Sequence, residues 1–268
     1  MPIHPTAIVD RAAELDPSAE VGPYVVIDGP VRVAANVRIY PHAYLCGWTQ
    51  IGENCQVHMG AVIGHAPQDR AFTGERSYCR IGPGTVVREY VTVHRGTKPE
   101  SETVVGANCL LGALSHVAHN CVLSDDVILM NGALLAGYVQ VGPRAFVSGN
   151  AGIHQFVCVG ELVMISGNGT VMGDVPPFLM VYGRNLVVGI NRVGLRRARF
   201  SSAEIDEIRQ AYRVLYRSHR PMSSTIPQLD ATLVTPAGRR LVGFLKAEHK
   251  RPLLRPRREL EHVAEPEE

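Results

Sequence analysis

Two residues eighteen positions apart, His119 and Gly137, have the side-chain and backbone chemistry that acyl transfer needs. An imidazole can take the proton of an attacking hydroxyl, which contributes roughly 10²–10⁴-fold to a rate. A glycine N–H, unshielded by any Cβ, can bind the developing oxyanion, which is worth roughly 10²–10³-fold. Gln155 follows at the same spacing, and His116 and His154 add polar groups nearby in the sequence. No serine stands in a nucleophile-elbow context, so direct attack of a hydroxyl on a thioester is favoured.

These spacings belong to a six-residue repeat. Stepping by six from Ile3 to Val171 visits 29 positions, of which 26 are Ile, Leu or Val; the exceptions are Asp69, Glu75 and Pro99. A period of six fits neither an amphipathic helix nor an ordinary alternating strand. It predicts an all-β left-handed parallel β-helix, in which each repeat supplies a short strand and a corner, and three repeats close a triangular coil. Residues eighteen apart then stack about 4.8 Å from one another, which would place the imidazole beside the glycine.

We expect this β-helix to occupy residues 1–177. The repeat fails in two polar stretches, which predicts loops at 68–80 and 98–103. Loops on a rigid scaffold often carry binding groups.

Residues 178–268 would form a linker and a small C-terminal α-helical domain with a mobile tail. The capping-box pattern Ser201-x-x-Glu204 marks the start of one helix. A second helix is expected within 238–250. Arginine is concentrated between 184 and 220, which predicts a basic surface on this domain.

Composition narrows the class of protein further. The formal net charge is only +2, which argues against nucleic acid as a partner. No uncharged stretch reaches the ~18 residues that a membrane span needs. The first residues lack the pattern of a secretory signal, so we expect a cytoplasmic protein. The six cysteines include no C-x-x-C pair, which argues against a disulfide framework or a thiolate metal site, and Cys55, Cys109 and Cys121 fall at small core positions.

Several segments, in their order along the chain, carry a resemblance to a known family. They are Gly64–Asp69 (GHAPQD), Arg88–Thr97 (REYVTVHRGT), His116–Cys121 (HVAHNC), Leu135–Gly137 (LAG), His154–Phe156 (HQF), Asp174–Pro177 (DVPP), Gly189–Asn191 (GIN) and Gly194–Arg197 (GLRR). With them, the chain resembles the bacterial UDP-N-acetylglucosamine O-acyltransferases, which begin lipid A synthesis, over essentially residues 1–250. Hexapeptide repeats alone are shared by many transferases, whereas this ordered set is specific.

The resemblance implies transfer of an (R)-3-hydroxyacyl chain from acyl carrier protein to the 3-hydroxyl of UDP-N-acetylglucosamine, without metal or cofactor. It also implies a homotrimer with active sites between subunits, and a basic helical domain that meets the acidic carrier protein. Gly167, with Met164, matches the position that limits acyl length in the family. A residue with no side chain there predicts room for a longer chain.

The resemblance assigns roles to individual residues as well. His119 matches the general base and Gly137 the oxyanion donor. The residues matched to sugar and acyl contacts are Gln68, Asp69, His116, Tyr138, His154 and Gln155. Asn191 and Arg197 match groups that bind the uridine diphosphate, and a forked guanidinium suits a diphosphate well.

Four positions depart from the family pattern. Tyr138 replaces a usual His, Ala71 a basic residue, Asn120 an Asp that follows the base, and Val193 an acidic group found in some members. These changes leave open a 3-amino analogue of UDP-N-acetylglucosamine as the acceptor. A γ-type carbonic anhydrase, with zinc held by three His, and a non-catalytic scaffold are the alternatives from other classes. The N-acyltransferase of the third lipid A step is disfavoured, because it carries an extra N-terminal uridine-binding domain and repeats begin here at Ile3.

Overall fold

The computed structural model describes residues 3–218 and 220–255. Its main body is the predicted left-handed parallel β-helix, in which short strands are joined by corners and three sheets form the sides. The first sheet contains, in spatial order, β1 (Ile8–Val9), β4 (Val26–Asp28), β7 (Tyr44–Cys46), β10 (Val62–His65), β13 (Thr92–His94), β16 (His116–Val117), β19 (Leu134–Leu135), β22 (Gly152–Ile153) and β25 (Thr170–Val171).

The other two sides are built in the same way. The second sheet contains β2 (Glu14–Leu15), β5 (Arg32–Val33), β8 (Trp48–Ile51), β11 (Tyr78–Ile81), β14 (Glu102–Val105), β17 (Val122–Leu123), β20 (Gln140–Val141) and β23 (Cys158–Val159). The third sheet contains β3 (Glu20–Val21), β6 (Arg38–Ile39), β9 (Gln56–Val57), β12 (Val86–Val87), β15 (Leu110–Leu111), β18 (Ile128–Leu129), β21 (Phe146–Val147), β24 (Met164–Ile165), β26 (Leu179–Tyr182) and β27 (Leu186–Ile190).

The register confirms the eighteen-residue stacking. His116 pairs with Leu134, and Val122 pairs with Gln140. The aliphatic residues of the repeat point inward because successive side chains of a strand face opposite sides, and those in strands from Val21 to Val171 are all buried. The cysteines at the small positions, such as Cys121, are buried in the same core, as predicted.

Three corners separate the sheets, and we name them by the sheets that they join. The first corner joins the first and second sheets and includes residues 118–121, 136–139 and 154–157. The second corner joins the second and third sheets and includes residues 124–127, 142–145 and 160–163. The third corner joins the third and first sheets and includes residues 130–133, 148–151 and 166–169.

Two longer connections leave the β-helix at the first corner. Residues 66–77 join β10 to β11, and residues 95–101 join β13 to β14. The loops predicted at 68–80 and 98–103 were therefore placed two or three residues too late. β11 and β14 are four-residue strands that begin within the polar stretches, with Arg80 and Glu102 facing outward, and these polar residues concealed the inward positions of Cys79 and Thr103.

β26 and β27 form an antiparallel hairpin that extends the third sheet where a linker was predicted. The helices that follow are α1 (Arg192–Arg197), α2 (Ser202–Tyr212), α3 (Met222–Thr232) and α4 (Pro236–Lys246), with a π-helical turn at Arg213–Arg217 continuing α2. The capping box at Ser201 and Glu204 is present, as predicted. The predicted tail begins at residue 251, and residues 256–268 of it lie outside the described residues.

Two features of the helices differ from expectation. α4 begins before residue 238 because the Thr235 hydroxyl caps it, accepting the Gly238 N–H, and Pro236 takes the first helical position. α3 was not predicted, since Pro227 lies inside it and no side chain caps its N-terminus.

Candidate active site

His119 lies at the first corner, and its hydrogen bond fixes its tautomer. Its Nδ1 is 3.1 Å from the side-chain oxygen of Asn120. That oxygen also accepts the backbone N–H of Thr97 at 3.0 Å, which identifies it as the oxygen and not the nitrogen of the amide. Because an amide oxygen can only accept, Nδ1 of the neutral ring carries the proton. Nε2 therefore keeps its lone pair and is the basic atom.

Gly137 lies directly against the His119 ring, one coil further along. A Cβ on residue 137 would stand 2.6 Å from Cε1 and from Nε2 of His119, which is closer than real side-chain contacts. The Gly137 carbonyl accepts the N–H of Phe156, whereas its own N–H has no hydrogen-bond partner among the described residues. The structure thus brings together the histidine and glycine that the spacing predicted.

Asp69, on the first of the two long loops, faces the same imidazole. Its Oδ2 is 3.8 Å from His119 Nε2 and accepts the Thr97 hydroxyl at 3.1 Å. Its Oδ1 accepts the backbone N–H of Ala71 at 3.0 Å. The hydrogen bond from the Ala71 N–H, and to a lesser extent that from the Thr97 hydroxyl, holds the pKa of this carboxyl below its ordinary value. Asp69 is therefore an ionised acceptor beside the basic nitrogen.

Two further histidines line the site, and one of them, His94, was not among the predicted site residues. His94 is 4% exposed, and its ring meets His116 edge-on with centroids 4.9 Å apart. Burial is the largest cause that lowers the pKa of His94 to about 4, and the neighbouring His116 and His65 lower it further. Burial also lowers the pKa of His116, whose Nδ1 is 2.7 Å from the Thr92 hydroxyl. Both rings are thus kept neutral at neutral pH.

A sequence signal for His94 existed. Its position in the coil is displaced by the long loop, so the simple eighteen-residue step does not reach it. Strand pairing places His94 opposite His65 and Thr92 opposite His116. Aligning the strands after removing the loops would have put His65, His94 and His116 in one group.

An aromatic column continues from His119 along the first corner. The Tyr138 ring meets His119 edge-on at 5.2 Å between centroids, and Phe156 stacks on Tyr138 at 5.0 Å. Both aromatic residues have the left-handed backbone of this corner, with φ of 62° and 67°. Lys250 and Arg251, from the segment after α4, lie over the Phe156 ring.

Three other predicted site residues, Gln68, His154 and Gln155, lie close to this aromatic column. The Gln68 backbone N–H is 3.4 Å from Nδ1 of His94. His154 and Gln155 precede Phe156 at the first corner, with His154 Nδ1 3.4 Å from the Gln155 carbonyl. These residues are thus on the same edge of the β-helix as His119.

Four predicted residues lie elsewhere in the chain. Asn191 caps the N-terminus of α1 and donates its amide to the carbonyl of Leu162, at the second corner. Arg197 is exposed in the last turn of α1. Gly167 lies at the third corner, and Met164 lies on the outer face of the third sheet. One chain alone therefore does not bring these residues to the His119 corner.

Within the described residues, no group of three or more His, Cys, Asp or Glu side chains is arranged to hold a metal ion. No helix in residues 3–218 and 220–255 is both long and apolar enough to cross a membrane.

A β-helix of six-residue repeats, with a histidine packed on a glycine of the next coil, defines a hexapeptide-repeat transferase. Residues 30–65 match the family of bacterial transferase hexapeptides (six repeats), and residues 174–254 match the second domain of UDP-N-acetylglucosamine O-acyltransferases.

Whole-chain relatives narrow this class. This chain is 42% identical to a protein from Gloeothece citriformis and 40% identical to one from Herminiimonas arsenicoxydans. Both relatives are named acyl-(acyl-carrier-protein)–UDP-N-acetylglucosamine O-acyltransferase. These matches cover 91% and 82% of this chain and 89% and 85% of the relatives. Solved structures of LpxA from Acinetobacter baumannii and Bacteroides fragilis superimpose with a TM-score of 0.91 each, at 32% and 35% identity. They cover 94% of this chain and 99% and 100% of those chains.

The chain belongs to the family of acyl-(acyl-carrier-protein)–UDP-N-acetylglucosamine O-acyltransferases. This membership supports the predicted O-acyltransferase over the carbonic anhydrase and the non-catalytic scaffold.

Proposed function

We propose that this protein moves an (R)-3-hydroxyacyl chain from acyl carrier protein to the 3-hydroxyl of UDP-N-acetylglucosamine, the first step of lipid A biosynthesis. The observation that carries the proposal is the contact between the His119 ring and Gly137, with Nε2 left free to accept a proton. The names of the relatives support the choice of donor and acceptor. We extend the proposal to a cytoplasmic location, as expected from the sequence.

In the proposed reaction, His119 Nε2 takes the proton of the 3-hydroxyl as its oxygen attacks the thioester carbonyl carbon. The developing oxyanion accepts the Gly137 N–H, which no other described group occupies. Collapse of the tetrahedral intermediate re-forms the carbonyl and breaks the C–S bond. The imidazolium returns its proton to the leaving thiolate, so the products are an ester and the carrier-protein thiol.

The neighbouring groups would support this proton transfer. The ionised Asp69, 3.8 Å from Nε2, stabilises the imidazolium as it forms. Asn120 holds the productive tautomer without adding charge, because its oxygen receives the Nδ1 proton. His94 and His116 stay neutral and add no positive charge that would oppose protonation of His119.

We further propose a homotrimer in which active sites form between chains. The outer face of the third sheet carries an apolar ladder of Leu110, Ile128, Phe146 and Met164. The outer face of the first sheet carries Leu134, which is 51% exposed in the single chain. The four ladder residues are half-buried, and with the exposed Leu134 they leave apolar side chains on the outer faces of both sheets, which indicates an interface. Packing the first sheet of one chain against the third sheet of the next would bring the first corner of one towards the second corner of the other.

This arrangement would unite residues that one chain holds apart. His119 would come from one chain, and Asn191 and Arg197 from its neighbour. Mixed trimers of His119→Ala and Arg197→Ala chains test it. Each mixed trimer would contain one interface with both residues intact, so we expect mixing two weakly active variants to restore transfer. Activity no higher than that of either variant would show that the two residues act within one chain.

The substrates can be tested with purified protein, UDP-N-acetylglucosamine and a series of hydroxyacyl carrier-protein donors. Formation of the 3-O-acyl product, detected by mass spectrometry, is the expected result. A parallel reaction with the 3-amino analogue distinguishes hydroxyl from amine acceptors. Acylation of the amine alone would overturn the proposed acceptor while keeping the reaction class.

A further inference from the structure

The segment after α4 places two cations at the active-site corner. Lys250 Nζ lies 5.3 Å and Arg251 Cζ lies 5.9 Å from the centre of the Phe156 ring. Arg251 also donates its Nε–H to the Gln155 carbonyl at 2.9 Å. Since Phe156 stacks on Tyr138, and Tyr138 contacts His119, the two cations stand at the end of the aromatic column that starts at the base.

A buried pair holds this segment in place. Asp174 is fully buried, and its Oδ2 is 2.6 Å from Nδ1 of His249. The other ring nitrogen of His249 is 2.8 Å from the Phe244 carbonyl. The Asp174 backbone accepts the N–H of Leu254, whose side chain is buried. Because these contacts bracket residues 250 and 251, both cations are anchored in the folded chain and not carried on a free tail.

Within residues 3–218 and 220–255, the two cations have no anionic partner. Neither Lys250 nor Arg251 forms an ion pair with a carboxylate of the described residues. The nearby Asp174 is occupied, because its Oδ1 accepts the Cys158 N–H and its Oδ2 faces His249. Two like charges beside one ring repel each other, and an anion bound between them would relieve that repulsion. The terminal nitrogens of Arg251 have the forked geometry that suits phosphate oxygens.

We propose that Lys250 and Arg251 form an anion-binding edge of the active site, which takes a phosphate group of a substrate. This inference rests on the proposed function, in which both substrates carry a phosphate group. The phosphate is either the diphosphate of UDP-N-acetylglucosamine or the phosphodiester of the carrier protein's pantetheine arm. Neither residue was among the site residues predicted from the sequence.

The test uses the full-length protein with Lys250→Gln, Arg251→Gln and Arg251→Lys substitutions. Lys250→Gln is the most informative, because it removes a charge and leaves the Arg251 contact with Gln155 intact. Arg38→Gln serves as the matched control, since its exposed guanidinium pairs with Glu20 in an early coil of the third sheet. Calorimetry gives the Kd for UDP-N-acetylglucosamine without turnover, and initial rates give KM for the donors. Melting temperatures report the fold.

Loss of one charge-assisted contact is expected to weaken the binding of the substrate that makes this contact by about tenfold. If the acceptor's diphosphate binds here, Kd for UDP-N-acetylglucosamine rises about tenfold in Lys250→Gln, and Arg251→Lys retains more affinity than Arg251→Gln. If the donor's phosphodiester binds here, KM for acyl carrier protein rises about tenfold, while a phosphate-free acyl-pantetheine donor reacts as it does with the unmodified protein.

Two results would overturn the proposal. One is a Kd and donor KM in Lys250→Gln that equal those of Arg38→Gln. The other is a loss confined to Arg251→Gln together with a lower melting temperature, which would reveal a purely structural contact. Failure of the unmodified protein to bind or acylate UDP-N-acetylglucosamine would instead contradict the proposed function, and is seen separately in the same measurements.

Discussion

Replacing Gly137 with alanine adds one methyl group at the point where the site is tightest. The new Cβ would lie 2.6 Å from Cε1 and Nε2 of His119, whereas ordinary contacts begin at 3.4 Å. The ring must therefore retreat by about 0.8 Å, the difference between those two distances. A displacement of about 1 Å at a catalytic group can cost about 10²-fold in rate. We expect kcat to fall about 10²-fold in Gly137→Ala, with KM for both substrates within a few-fold of the unmodified protein.

The fold should tolerate the change, because the core beneath residue 137 is made by Leu135 and Val139, which stay buried. Gly243→Ala, an exposed glycine whose added Cβ meets nothing within 4 Å, is the matched control. Single-turnover transfer with saturating substrates measures the chemical step, and thermal melting measures stability. Full activity in Gly137→Ala would refute the inference that the imidazole must lie against an unsubstituted glycine.

Three other predictions concern stability, chain length and thiol reactivity. Because burial lowers the pKa of His94 to about 4, the unfolded chain binds a proton below about pH 6.5 that the folded chain does not. The free energy of unfolding should therefore decrease by up to about 3 kcal/mol as pH falls from 6.5 to 4. Denaturant titrations at several pH values should show a smaller decrease in His94→Gln. The same dependence on pH in His94→Gln as in the unmodified protein would contradict this prediction. Gly167→Met should shift transfer towards shorter acyl chains, since a side chain fits there with only an ordinary contact to a backbone oxygen, and an unaltered donor preference would count against a length limit at this position. Burial raises the pKa of Cys121 to about 12, so the thiol should not react with an alkylating reagent at pH 8. Mass spectrometry of the alkylated native protein should find Cys121 unlabelled. Rapid labelling would contradict its place in the core.

Much of the fold follows from the six-residue period alone. A short strand must alternate inward and outward residues, so an aliphatic at every sixth position specifies one continuous core. The eighteen-residue coil then predicts that His119 and Gly137 touch, which the structure shows. The capping box at Ser201 could also be predicted from the sequence, because it is formed between residues only three positions apart.

Features that depend on contacts distant in sequence were not predictable in this way. The long loops displace the coil count, which hid His94. α3 forms despite Pro227 because its buried side chains, such as Leu229, pack against neighbouring helices, and local propensity carries no information on that packing. The positions of Lys250 and Arg251 depend on the pairing of His249 with Asp174, 75 residues away in the chain.

The most direct test of the central claim is single-turnover acyl transfer by His119→Ala. The His119 imidazole, whose Nδ1 faces Asn120 and whose Nε2 is available to accept a proton, is the proposed base, so its removal should lower the transfer rate by roughly 10²–10⁴-fold. Melting temperature and affinity for UDP-N-acetylglucosamine should stay close to those of the unmodified protein. A transfer rate in His119→Ala equal to that of the unmodified protein would show that another group removes the proton.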